Sequence, residues 1–216
     1  MARTTPTTAT KRHIAARRLL PIALSATITP VLALASPQQA LAHHDIDVPS
    51  HPASIAVPPG NKVYRVDHAI GTQDYVCLPS GLGYAWTFFG PQATLYKDDD
   101  KQVMTHFLSP DPSNVARPTW QYKDNSRIWG AAVASASSVT DPAFVDDGSI
   151  PWLLVIVVDA EPGLDGGDKL VDTTYIQRLD TSEGVAPAAG CAAAADIGKK
   201  ALVPYTTDYY FYRADD

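Results

Sequence analysis

An all-β chain, folded as one antiparallel β-sandwich or barrel of about ten short strands with at most one short helix, is what this sequence predicts. Three observations carry that expectation. Runs of Val, Ile, Thr and aromatic residues follow one another from residue 62 to residue 213, the composition that suits a pleated, half-buried surface. Pro, Gly, Asp and Ser fill the gaps between the runs, as turns require. Only "GCAAAADIGKKAL" has helical propensity, and Gly190 and Gly198 limit it to a turn or two.

The runs, in order, are "KVYRVDHAI", "QDYVCL", "YAWTFFG", "ATLY", "QVMTHFL", "TWQY", "RIWGAAVAS", "PWLLVIVVDA", "VDTTYIQRLD" and "TDYYFYR". Between "ATLY" and "QVMTHFL", the charged stretch Lys97 to Gln102 reads as a hairpin tip. "WLLVIVVD" is apolar without alternation, the pattern of a strand covered on both faces, and Pro151 suits the strand's first position. The last run lies within "VPYTTDYYFY", where the two-residue period places Tyr205, Thr207, Tyr209 and Phe211 on one face. Thr206, Asp208, Tyr210 and Tyr212 take the other, which either packs beneath a loop or stands as an exposed aromatic platform.

Residues 1–42 read as a secretory signal peptide. Arg3, Lys11, Arg12, Arg17 and Arg18 precede "LLPIALSATITPVLALA", no acidic residue occurs before Asp45, and Ala40-Leu41-Ala42 offers a small-x-small cleavage site. A retained anchor is the alternative, but Pro21, Pro30 and several hydroxyl residues make the stretch a poor span. Cleavage after Ala42 removes five of the 17 basic residues and none of the 23 acidic ones, so the formal charge moves from −6 to −11. Such a chain repels phosphate backbones, which excludes nucleic acid as a natural partner. No transmembrane anchor is expected after processing. Residues 43–61 carry four prolines and read as an irregular N-terminal arm, and 62–213 form the β domain. Cys77 and Cys191, an even pair in an exported chain, read as one disulfide, with two buried thiols as the alternative.

Catalytic signatures are sparse. There is no G-x-S-x-G, H-E-x-x-H, C-x-x-C or P-loop, and no dinucleotide fingerprint, which argues against a nicotinamide-dependent dehydrogenase. A start at His43 would offer an amine and an imidazole to copper beside His44, with a third nitrogen from His51, His68 or His106. His106 instead reads as a structural residue, since Met104, His106 and Leu108 share one face of their run. The acidic groups Asp98 to Asp100, Asp146-Asp147 and Asp165 to Asp168 lack EF-hand spacing and read as solvated turns. No cofactor is called for.

"GTQDYVC", "WTFFGPQATLY", "PTWQYKDNSRIWG", "IPWLLV", "YIQRLDTSEGVAPAAGC" and "VPYTTDYYFY" occur in an order that resembles the secreted family catalogued as domain of unknown function 3455. The resemblance spans about Gly60 to Tyr212, and it implies a single secreted β-rich domain with no established activity.

The sequence thus points to a secreted binding or surface-associated module, extracellular or in the cell envelope. A carbohydrate or envelope surface would be the partner if aromatics such as Tyr210, Tyr212, Trp120 and Tyr122 stand exposed. The alternative is a secreted hydrolase or copper enzyme using His106, acidic loop residues or the N-terminal histidine, which would need a cleft holding His106 with carboxylates.

Overall fold

The computed structural model describes residues 45–215; the expected signal peptide and the candidate copper ligands His43 and His44 lie outside them. Two pairs of the expected runs fuse, so that ten become eight. "KVYRVDHAI" and "QDYVCL" are halves of β1 (Asn61–Ser80), and "YAWTFFG" and "ATLY" are halves of β2 (Gly83–Tyr96). The glycine between the first two is no turn. Gly71 lies where β1 and β2 approach so closely that a Cβ would come 2.1 Å from the Gln92 carbonyl oxygen, one of the reasons a strand holds a glycine. In β2 the Phe89-Gly90 step is absorbed as a bulge, since Asp74 pairs with Gly90 and Tyr75 with Phe88, leaving Phe89 unopposed.

The remaining strands are β3 (Gln102–Pro110), β4 (Ala116–Tyr122), β5 (Arg127–Ala136), β6 (Trp152–Glu161), β7 (Thr173–Glu183) and β8 (Lys200–Ala214). Each pairs antiparallel with its neighbour in sequence, and β8 returns to β1, so the sheet closes into an eight-stranded barrel rather than a sandwich. The closing seam is long, running from Asn61 opposite Ala214 to Val76 opposite Lys200. The expected hairpin tip falls between Tyr96 and Gln102, and the alanine-rich segment supplies one 3-10 turn, Ala194–Asp196.

Alternation sorts the apolar residues into two cores. Inside the barrel lie Leu95, Met104, Trp120, Ile128, Ile176, Tyr209 and Phe211. A second cluster lies on the outer face, where Trp152, Leu154, Leu179, Tyr210 and Tyr212 meet Ile55 of the N-terminal arm and Val145 of the β5–β6 connection. The arm carries a 3-10 turn, Ala53–Ile55, and is tied down where Gln177 Nε2 donates to the Ile55 carbonyl at 2.8 Å. Gln177 Oε1 in turn accepts a hydrogen bond from the Tyr212 hydroxyl. This cover explains the unbroken apolar start of β6: Leu153 and Val155 face the lumen while Trp152 and Leu154 face the arm side.

One end of the lumen is plugged. Arg65 makes a bidentate ion pair with the fully buried Asp67, and its guanidinium lies 4.5 Å from the Tyr122 ring centre. Burial pushes the Asp67 carboxyl up, and the Arg65 guanidinium offsets part of that rise. Nearby, Tyr64 and Thr173 share a 2.7 Å hydroxyl contact. Beyond β7 the chain runs back over the β1–β2 hairpin, where Cys77 and Cys191 are paired with Cα atoms 5.5 Å apart, the usual span of a disulfide. Trp86 helps to hold this segment, its indole N–H donating to the Ala189 carbonyl at 3.0 Å.

Candidate functional site

The opposite end of the lumen is not plugged but holds a cavity of about 290 Å³ to which every strand contributes at least one residue. Its walls are mainly apolar, including Phe88, Pro91, Pro118, Ile150, Leu153 and Val155. Gly130 packs against two of its walls, where a Cβ would stand 2.5 Å from Val155 Cγ1 and 3.0 Å from the Trp120 ring. Gly184, at φ +87°, adopts a conformation that favours glycine and leaves room for Gln73 and Tyr205, while its carbonyl accepts the Tyr75 hydroxyl at 2.8 Å.

Among these walls sits a small polar group. His106 Nδ1 donates to the Thr119 carbonyl at 2.9 Å, and the ring stacks on Trp120 with centroids 4.1 Å apart. That hydrogen bond fixes the neutral tautomer with the lone pair on Nε2. Burial pushes the His106 pKa down to about 3; the Thr119 carbonyl offsets this in part and the Arg178 charge adds to it. Gln73 and Trp120 also line the cavity, only 3% and 2% exposed. Gln73 Nε2 and Trp120 Nε1 are buried donors with no hydrogen-bond partner among the described residues. A buried polar atom in that state costs stability unless something satisfies it.

Arg178 supplies the charge. It occupies an inward position on β7, between Leu153 and Tyr209 on the flanking strands, and its Nε and Nη2 donate to the Pro151 carbonyl at 3.1 and 2.6 Å. No Asp or Glu pairs with it among the described residues, and none lines the cavity. Its charge reaches His106, Tyr75, Tyr205 and Tyr209, and in all three tyrosines it works against the burial that raises the phenol.

The residues singled out in the sequence are placed differently from an exposed strip. Tyr210, Tyr212, Trp120 and Tyr122 are 2% to 7% exposed, so none presents a ring face to solvent. Tyr210 and Tyr212 lie beneath the N-terminal arm, Trp120 in the lumen beside the cavity and Tyr122 under Arg65 at the plugged end. The physical reason is the arm, which turns the outer face of β7 and β8 into a second core. Of the histidines, His51 Nδ1 donates to the Pro49 carbonyl at 2.9 Å, while His68 bridges Asp208 and Asp98 at 2.6 and 2.8 Å. Among the described residues no three His, Cys, Asp or Glu side chains converge as a metal site, and none of their helices is long and apolar enough to cross a membrane.

Of the cavity's polar residues, Trp120 and His106 were singled out in the sequence, whereas Gln73 and Arg178 were not. In "YIQRLD" the period that sends Ile176 into the lumen places Arg178 at the next inward position and Asp180 at the one after, but the irregularity between Leu179 and Ser182 leaves Asp180 exposed and Arg178 without it. A charge on a core face is a functional flag when unpaired.

An eight-stranded, up-and-down antiparallel barrel, plugged at one end and hollow at the other, is the class of protein that this fold and site define. Residues 58–213 match the family described as Protein of unknown function (DUF3455), and the chain belongs to that family. No match was found among curated proteins, and none among solved structures.

Proposed function

We propose that this chain is an exported binding protein that holds one small, largely apolar ligand in the hollow end of its barrel. The observation that carries the reading is the pair of buried donors, Gln73 Nε2 and Trp120 Nε1, left without partners among the described residues at the wall of a cavity. Eight-stranded barrels have an interior just wide enough for side chains or one small ligand, and barrel mouths are a preferred place for ligand sites. At about 290 Å³ the cavity falls at the small end of that range. Export is supported by the signal-like segment and the paired cysteines. The ligand is thus taken up by the lumen, not by a strip of surface tyrosines. A hydrolase would need carboxylates beside His106, and the cavity wall has none.

The test is a thermal-shift screen of small amphipathic compounds on the purified secreted chain, followed by NMR of the indole N–H signals with Trp120→Phe to assign that of Trp120. A ligand should raise the melting temperature in a saturable way and shift the Trp120 signal. A crystal structure in which ordered water alone satisfies both donors, with no compound moving the Trp120 signal, would refute the reading.

A further inference from the structure

We infer that the ligand is a small monocarboxylate with an apolar body, its carboxylate paired with Arg178. The inference rests on the cavity being a ligand site and goes further by naming the charge and chemistry of what enters it.

Arg65 and Arg178, the inward guanidiniums of the described residues that are not exposed, are treated in opposite ways. Arg65, at the plugged end, is neutralised by Asp67 within hydrogen-bond reach. Arg178, at the hollow end, has among the described residues the Pro151 carbonyl as acceptor, with the Tyr209 hydroxyl beside it, and these neutral groups leave its charge uncompensated. Arg178 is half-buried, and a partly desolvated charge without a counter-charge is one that an anion stabilises, so the hollow end lacks one negative charge that the plugged end has.

Two other polar atoms at the cavity agree on sign. Gln73 Nε2 and Trp120 Nε1 are donors in need of acceptors. A carboxylate supplies two oxygens, enough to face the edge of a guanidinium and still accept from a neutral donor. Size and charge then choose among anions. One unpaired guanidinium balances one negative charge, whereas a phosphate dianion would bring a second into a chain that already carries excess acid. The apolar walls, with Phe88, Leu153 and Val155 among them, require a body that has no need of water. His106 stays outside this pairing, because its Nδ1 is committed to Thr119 and its Nε2 lone pair is an acceptor that offers nothing to a carboxylate.

Matched acid and amide pairs test this directly: benzoate against benzamide, cinnamate against cinnamamide and hexanoate against hexanamide, with inorganic phosphate as a further arm. Binding is followed by calorimetry and by the Trp120 indole signal at a pH of about 7, where the acids are ionised. Wild-type protein should prefer each bound acid over its amide by about tenfold or more. Arg178→Met should erase that preference while amide binding stays within about threefold, and Arg178→Lys should restore part of it. Near-UV circular dichroism of each variant reports whether the Pro151 side of the cavity has kept its packing. Equal affinity for acid and amide in the wild type would overturn the monocarboxylate while leaving the cavity a ligand site. Tighter binding of phosphate than of every carboxylate would overturn the monocarboxylate in the same way. If none of the compounds moves the Trp120 signal, the cavity reading falls with it.

Discussion

The imidazole of His106 lies on the indole of Trp120 with only 17° between the ring planes, and Tyr209 meets both rings edge-on at 5.3 and 5.6 Å. Such a stack, deep in the lumen, keeps His106 neutral. Because its folded pKa, about 3, is below the unfolded value of about 6.5, the unfolded chain takes up this proton first. The stabilising contribution is therefore complete above a pH of about 6.5 and is lost as pH falls toward 3, at no more than about 1.4 kcal/mol per pH unit. His106→Asn, which keeps a donor for the Thr119 carbonyl, should flatten the pH dependence of stability in that window. Urea unfolding of both proteins between pH values of about 4 and 7 measures it, and parallel curves would contradict the assignment.

Tyr210 and Tyr212 should behave as core residues. Tyr210→Ala and Tyr212→Ala are expected to cost about 3 to 5 kcal/mol, comparable with Phe211→Ala. Tyr212→Phe, which removes only the hydroxyl that reaches Gln177, should cost about 1 to 3 kcal/mol. Removing the arm up to Val57 should produce a loss of the first kind and expose both rings to solvent. Equilibrium denaturation gives the energies, and tyrosine accessibility in a photo-oxidation experiment reports the exposure.

Gly130→Ala tests how tightly the cavity is built. The new methyl must displace Val155 or Trp120, and overpacking of this kind costs about 1 to 3 kcal/mol. The Trp120 indole signal should move even without ligand. A variant as stable as wild type with an unmoved signal would show that the wall yields freely.

The Cys77–Cys191 bridge closes a loop of 114 residues in sequence separation, for which chain-entropy accounts allow up to about 4 to 5 kcal/mol. Reduction should lower the melting temperature at constant pH, and non-reducing peptide mapping should recover the linked pair. An unchanged melting temperature would mean that the segment around Cys191 is held by Trp86 and the strand ends alone.

His68 gives the opposite pH response from His106. Burial works to lower its pKa, but hydrogen bonds to Asp98 and Asp208 outweigh this and raise it above the ordinary value. Its tie to the hairpin tip is complete below a pH of about 6.5 and lost as pH rises through the raised folded pKa. NMR titration of the His68 ring should show the raised value, and Asp98→Asn should lower it. The exposed position of Asp98 means that salt should weaken the effect too.

Much of the barrel was legible in the residues because strand and turn chemistry are local. The period of two put Tyr209 and Phe211 on one face and Met104 and His106 on another, and those faces are the lumen. What the period could not supply is what lies against the second face. Tyr210 and Tyr212 read as a platform or as packing, and the answer depends on Ile55, which is 122 residues from Gln177 in the chain and meets it only after folding. The cavity was hidden for a related reason. Its polar groups come from strands far apart in sequence, so Gln73, His106, Trp120 and Arg178 share no motif. Trp120 and His106 drew notice for their own runs, while Asp180, two residues after Arg178, hid that this arginine ends up without a counter-charge.

A closed barrel has no free edge for another strand to join, but its seams are not equally strong. β4 and β5 are matched over three register pairs alone, Thr119 with Trp129, Trp120 with Ile128 and Gln121 with Arg127, against the long seam between β1 and β8. In deuterium exchange the amides of β4 and β5 should therefore lose protection first and those of β1 and β8 last. Parting that short seam uncovers Trp120, one wall of the hollow end, while the rest of the sheet remains paired. Local breathing of three rungs would then open the cavity sideways, a second route for a bound molecule beside the unplugged mouth, without global unfolding.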